Sequence, residues 1–132
     1  MTRKHVTEFL ARVVDWAALQ PDIRTALLVG SRARGSSGLN SDIDLVILCD
    51  QRQDFLDDTH WASEFGDITK RATEHWGRLT ALRVWYESGL EVEFGFAAQS
   101  WISQPLDQGT QEVLAGGYQI LFDRSGLLLN LT

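Results

Sequence analysis

The chain is poor in the residues that define several common kinds of site. It has one cysteine, Cys49. A lone thiol cannot close an internal disulfide, so a disulfide scaffold is excluded and a reducing compartment is expected. The three histidines, His5, His60 and His75, are scattered, with no H-x-x-x-H spacing and no C-x-x-C. That removes the usual zinc ligand sets. No Ser-His-Asp set follows from chain order, and Cys49, at the end of an apolar run, reads as core and not as a nucleophile. Positive charge is also scarce: 12 Lys and Arg face 18 Asp and Glu, for a net charge of -6. A nucleic-acid surface favours a basic stripe, so nucleic acid is not the expected partner. No window approaches the ~20 apolar residues of a membrane span, and Met1-Thr2-Arg3-Lys4 leads into no apolar signal core. A cytoplasmic location is therefore expected. There is no internal repeat, low-complexity tract or linker, and 132 residues at 44% hydrophobic and 23% charged match one globular domain over 1–132.

What is present concentrates between Leu27 and Leu48, LLVGSRARGSSGLNSDIDLVIL. The apolar run Leu27-Leu28-Val29 stops at Gly30-Ser31. Arg32, Ala33 and Arg34 follow, closed by Gly35, and residues 36–40 are turn chemistry. Then Ser41-Asp42-Ile43-Asp44 enters the apolar strand Leu45-Val46-Ile47-Leu48. Side chains two apart share a strand face, so Asp42 and Asp44 point one way while Ile43 and Leu45 point to the core. Paired carboxylates repel, and a hard divalent cation relieves them. Mg²⁺ takes oxygen ligands from one or two carboxylates plus substrate phosphates. Gly30 allows close backbone approach to a ligand, and N–H groups after Ser31 would face an anion if a helix begins there. A phosphate seat beside a metal seat is the plan of phosphoryl or nucleotidyl transfer. Two other phosphate motifs do not fit: no Gly-Lys-Ser/Thr follows the glycines, and the G-x-G-x-x-G spacing is missing.

The two halves, Gly30-Ser31-Arg32-Ala33-Arg34-Gly35 and Ser41-Asp42-Ile43-Asp44-Leu45, resemble the signature of the DNA polymerase β-like nucleotidyltransferase superfamily. The similarity is greatest to minimal nucleotidyltransferases and aminoglycoside-adenylyltransferase-like enzymes. The resemblance implies an α/β (α+β) fold with a mixed central sheet flanked by helices. It implies two Mg²⁺ ions held by Asp42, Asp44 and a third carboxylate on a later strand, with ATP as the expected donor. Gly30, Ser31 and Ser41 would then serve the nucleotide, with Arg32 or Arg34 near the leaving pyrophosphate.

The rest of the chain supplies the framework. Val6, Phe9, Leu10, Val13, Val14 and Ala17 recur at helical spacing, predicting a helix over about 2–19 that ends at Pro21. Strands are expected at 23–29, 42–49, 79–86, 90–96 and 118–122. Short helices are expected at 31–35 and from Asp107 to about 115. A longer helix is expected over 54–65, with Asp57 and Asp58 on a solvated face, and 68–76 as a helical turn or irregular crossing. Glu87-Ser88-Gly89 is a hairpin signal, which places Glu91 and Glu93 on one face of the returning strand. The resemblance favours Glu93 as the third metal-site acid, with Glu91 as the alternative. Lys70, Arg71 and Arg78 could approach a triphosphate but by default are read as surface charge, and Trp101 could line a substrate cleft but is read first as a half-buried packing residue.

The expected activity is transfer of a nucleoside monophosphate to a hydroxyl. Larger relatives append a helical acceptor-binding domain, and none is expected within 1–132, so the acceptor is open. It is a small molecule such as an aminoglycoside, or a partner protein. A separately encoded helical partner restrained by a minimal nucleotidyltransferase antitoxin fits too, as does a homo-oligomer. A nucleotide-binding module without turnover is a third reading. The intact Ser31, Asp42, Asp44 and Glu93 count against it.

Overall fold

The structure, a computed structural model, describes residues 3–35, 42–102 and 105–124. Helix α1 (Arg3–Ala18) is followed by strand β1 (Ile23–Val29), the short helix α2 (Ser31–Arg34) and strand β2 (Ile43–Cys49). Next come α3 (Arg52–Asp57), a 3₁₀ segment (His60–Phe65), and strands β3 (Ile68–Trp76), β4 (Leu79–Tyr86) and β5 (Glu91–Ala97). A second 3₁₀ turn (Gln99–Ile102), helix α4 (Gln108–Ala115) and strand β6 (Tyr118–Asp123) complete the described order. The strands form one sheet in the order β3-β4-β5-β2-β1-β6. Four neighbouring pairs are antiparallel, and β2 with β5 is parallel. The sheet is mixed and carries helices, as the sequence leads one to expect.

Apolar alternation explains the layers. Val6, Phe9, Val13, Trp16 and Ala17 make one stripe of α1 and pack on the sheet face formed by Ala26, Leu28, Ile43, Leu45, Ile47, Leu82, Val84, Phe94 and Phe96. Phe94 is fully buried there, with ring centroids 4.9 Å from Trp61, 5.9 Å from Phe65 and 6.2 Å from Phe9. The C-terminal end of α1 is held from a distance. The Arg124 guanidinium donates to the carbonyls of Ala17, Ala18 and Gln20 at and just beyond the helix end, where carbonyls run out of helical N–H partners. Cys49 is buried in the same core, and burial pushes its thiol up to about 12. It is core, not nucleophile.

The opposite face is divided. At one end Leu27, Val29, Val46, Leu48 and Ala97 pack beneath Trp101 and Ile102, with Leu79, Val113 and Tyr118 against them. At the other end the same strands present charged residues. Trp101 is only 3% exposed, so it is more deeply packed than the half-buried residue expected from sequence.

Two stretches differ from expectation. The helix anticipated over 54–65 is broken: α3 ends at Asp57, Asp58 is extended, and the chain resumes as the 3₁₀ segment. The Asp58 carboxylate accepts the His60 backbone N–H at 3.1 Å. A short acid of this kind competes with the helical ladder. The stretch 68–76, expected to be helical or irregular, is the edge strand β3. Its residues are mostly exposed, so no apolar period marks it. The signal lay instead in Gly77, whose φ of 63° lets Gly77-Arg78 join β3 to β4 as a two-residue hairpin turn with Trp76 opposite Leu79.

Phe94→Ala should lower unfolding free energy by about 3–5 kcal/mol in urea titrations. A loss under about 1 kcal/mol would mean that the aromatic layer is not the central packing element.

Candidate active site

The site forms where the parallel pair β2 and β5 meets the charged end of the divided face. The register sets Asp44 beside Glu93, Val46 beside Gly95 and Leu48 beside Ala97. Asp42, two residues before Asp44, projects to the same side. Carboxylate oxygens of Asp42, Asp44 and Glu93 all lie within 4.8 Å of one another. Three hard oxygen donors at that separation suit a divalent ion such as Mg²⁺.

Gly30 lies on the β1 side of this cluster. Val29 is paired with Asp44 across β1 and β2, and Gly30 follows at φ 76°, a conformation that favours glycine. A Cβ at Gly30 would sit 2.6 Å from Asp44 Oδ2. Glycine is thus required twice, by the backbone and by the carboxylate beside it. Ser31, Arg32 and Arg34 belong to α2, which packs beside β1 and receives a hydrogen bond from Gln119 to the Ala33 carbonyl at 3.1 Å. Ser41, expected to serve the nucleotide, lies outside the described residues, as does the side chain of Arg34.

Arg83 is the residue that sequence reading missed. On β4 it pairs with Glu93, and its guanidinium touches four acids. Nη1 reaches Glu91 at 2.6 Å and Asp42 at 3.1 Å, Nη2 reaches Glu93 at 2.7 Å, and Nε reaches Glu74 at 3.2 Å. Burial works against its charge, but hydrogen bonds to Asp42 and Glu91 and the charge of Glu93 outweigh it and raise its pKa. The signal was available. Once Glu87-Ser88-Gly89 turns the chain, counting back along β4 puts Arg83 opposite Glu93.

The carboxylates do not ionise alike. Burial, then the charges of Asp42 and Glu93, push Asp44 up to about 7. Burial likewise raises Glu93, opposed by Arg83. Glu93 is held at both oxygens, by Arg83 on Oε2 and by the Trp76 indole N–H on Oε1 at 3.0 Å. Glu91 meets Arg83 but is not part of the three-acid cluster.

Asp44 and Glu93 open into a cleft of about 960 Å³. Leu79, Val46, Trp101 and Val113 give it an apolar floor and wall. Gly95 leaves room for Leu79, whose Cδ2 would stand 2.8 Å from any Cβ there. The far wall is α4, capped by Asp107, which accepts the Thr110 N–H at 2.8 Å. Arg78 fastens the β3–β4 turn to this wall, reaching Asp107 at 2.6 Å and Ser100 at 3.0 Å. Arg78 is an exposed charge, as expected from sequence, and a paired one. Lys70 and Arg71 lie elsewhere, over the Trp85 ring and on the Thr59 hydroxyl. Among the described residues the cleft is lined by four carboxylates, Asp44, Glu93, Asp107 and Glu112, of which Asp107 is paired with Arg78 and Glu93 with Arg83.

The profile of the streptomycin adenylyltransferase family matches residues 3–130. The chain belongs to that family. Among solved structures, this family member is similar to an aminoglycoside 6-adenyltransferase from Bacillus subtilis, with a TM-score of 0.56 and 13% identity. That match covers 74% of this chain and 36% of the other. It is also similar to the Cid1 poly(U) polymerase bound to Mg 3'-dATP, with a TM-score of 0.50 and 19% identity over 73% of this chain and 32% of that one. At such identities the likeness is one of fold, and the chain spans about a third of the length of these proteins. No curated protein matches the sequence. No helix among the described residues is long and apolar enough to cross a membrane.

The raised pKa of Asp44 has a stability consequence. Its folded value near 7 lies above the ordinary aspartate value of 3.8, so folding favours its protonated form. That contribution is full below the unfolded pKa and is lost as pH rises through about 7. In EDTA, the melting temperature of Asp44→Asn should gain on the wild type between about pH 5 and pH 8. A gap that stays constant over this window would mean that Asp44 ionises normally.

Proposed function

We propose that this family member is a magnesium-dependent nucleotidyltransferase that moves AMP from ATP to a hydroxyl of a cationic small molecule of the aminoglycoside type. The observation that carries this reading is the convergence of Asp42, Asp44 and Glu93 beside Gly30 at one end of a cleft. Asp42 and Asp44 would hold Mg²⁺, with Glu93 completing the set. Magnesium bound there supplies charge neutralisation for the triphosphate and favours in-line displacement at the α-phosphorus.

The protein's own groups do the rest. Gly30 keeps the backbone clear of side-chain bulk, so the β- and γ-phosphates can approach its N–H and the Ser31 hydroxyl. Arg32 and Arg34, on the same short helix, are the candidates to meet pyrophosphate as it leaves. Glu93 is the better choice than Glu91 to take the acceptor's proton. It joins the metal cluster and lines the cleft, and burial raises its basicity. The excess of carboxylates over arginine in the cleft favours a polyamine acceptor over an anionic one such as RNA.

Asp42→Asn and Asp44→Asn should each abolish Mg²⁺-dependent ATP binding by calorimetry while circular dichroism stays unchanged. Unaltered binding in both would remove the metal assignment. Glu93→Gln should slow transfer by roughly 10²–10⁴-fold, and Glu91→Gln by less than about tenfold. The reverse order would exchange their roles.

Gly30→Ala should weaken Mg²⁺ affinity through displacement of the Asp44 carboxylate, in the same titration. Incubation with labelled ATP, Mg²⁺ and a panel of aminoglycosides and co-purified proteins should label an aminoglycoside. Label on a helical protein instead would support the antitoxin-type reading, and label on nothing a module without turnover.

A further inference from the structure

Trp76 is an unusual residue to find at the tip of an edge hairpin. It is 59% exposed, yet its indole N–H is spent on Glu93, two strands away in the sheet. To reach Glu93 from β3 the side chain must pass over β4. The row it crosses holds Ala81 and Gly95, paired with each other and nearly free of side-chain bulk. The tip itself is fastened through Arg78 to Asp107 and Ser100. A ring more than half exposed, lining the cleft and tethered by its polar edge to a site carboxylate, is placed for more than packing.

Placement assigns it one. The strand order puts Gly30, the proposed phosphate seat, on the β1 side of Asp44, and Glu93 and Trp76 on the other. A ring lying on the indole would present a hydroxyl toward Glu93 without entering the phosphate side. We propose that Trp76 is the acceptor platform. It stacks against an amino-sugar or aminocyclitol ring, meets its ammonium groups by cation–π attraction, and positions Glu93 through its N–H. This inference rests on the transfer reading above and adds to it the residue that receives the acceptor and the side from which the acceptor enters.

The test uses streptomycin as the probe, with Mg²⁺ and the α,β-methylene analogue of ATP, whose bridging carbon blocks transfer. Trp76→Ala should weaken streptomycin binding at least tenfold, and Trp76→Phe, which keeps a ring, less than threefold. Both variants should bind the nucleotide analogue within threefold of wild type. With ATP itself, Trp76→Phe should lower kcat for streptomycin while holding its KM, because only the N–H to Glu93 is lost.

Unchanged streptomycin affinity in Trp76→Ala overturns the platform. A wild type that binds the nucleotide but not streptomycin overturns the assigned ring class, leaving the nucleotide reading in place. A wild type that binds no nucleotide analogue sinks the transfer reading and this inference with it.

Discussion

Mutual repulsion among carboxylates is the constraint to which the rest of the molecule answers. Asp42, Asp44 and Glu93 share one small volume, and Glu74 and Glu91 stand close enough to reach the same guanidinium. Five acids around one arginine are not an arrangement that folding alone would favour. Arg83, with its side chain 17% exposed, offsets part of the repulsion. Asp44 relieves more by holding its proton to near neutral pH. The remaining repulsion sits where β2 and β5 are parallel neighbours.

The sheet makes such a concentration tolerable by treating its two faces differently. One face is closed by α1, the 3₁₀ segment and their aromatic residues, and carries the stability of the fold. The other is apolar only where α4 and Trp101 cover it. Between the covered and charged ends lie Gly95 and Ala81, whose small size gives the Leu79 side chain its place. A site that concentrates charge is thus built on strands whose reverse side is fully buried apolar core. Rigid strands also fix the carboxylate separations more closely than loops would.

Arg83, Trp76 and Arg78 link these layers to the chemistry. Each comes from the β3–β4 hairpin, and each ties that hairpin to something beyond it: Arg83 to the acids, Trp76 to Glu93, Arg78 to the cap of α4. The hairpin therefore acts as a frame around the cleft and not as a passive edge. The acidic lining gives the cleft a sign, and a charge of one sign selects partners of the other more strongly than it raises affinity.

Local pattern carried much of this. Alternation in Ile43 to Leu48 placed Asp42 and Asp44 on one face, the period in α1 named its buried stripe, and Asp107 announced a helix start. These features depend on neighbours in the chain, so the chain states them. Strand β3 was illegible because an exposed edge has no apolar period, and the break at Asp58 because a single side-chain hydrogen bond outweighed a plausible helical pattern. The choice between Glu91 and Glu93 could not come from alternation, which treats them alike. Only the parallel pairing of β2 with β5, joining residues about fifty positions apart, brings Glu93 beside Asp44, and only the hairpin brings Arg83 and Trp76 to it. Sequence determined which residues face together along each strand, because side-chain direction is a local property of the backbone. Tertiary structure decided which strands lie side by side, because that depends on burying distant apolar surfaces together.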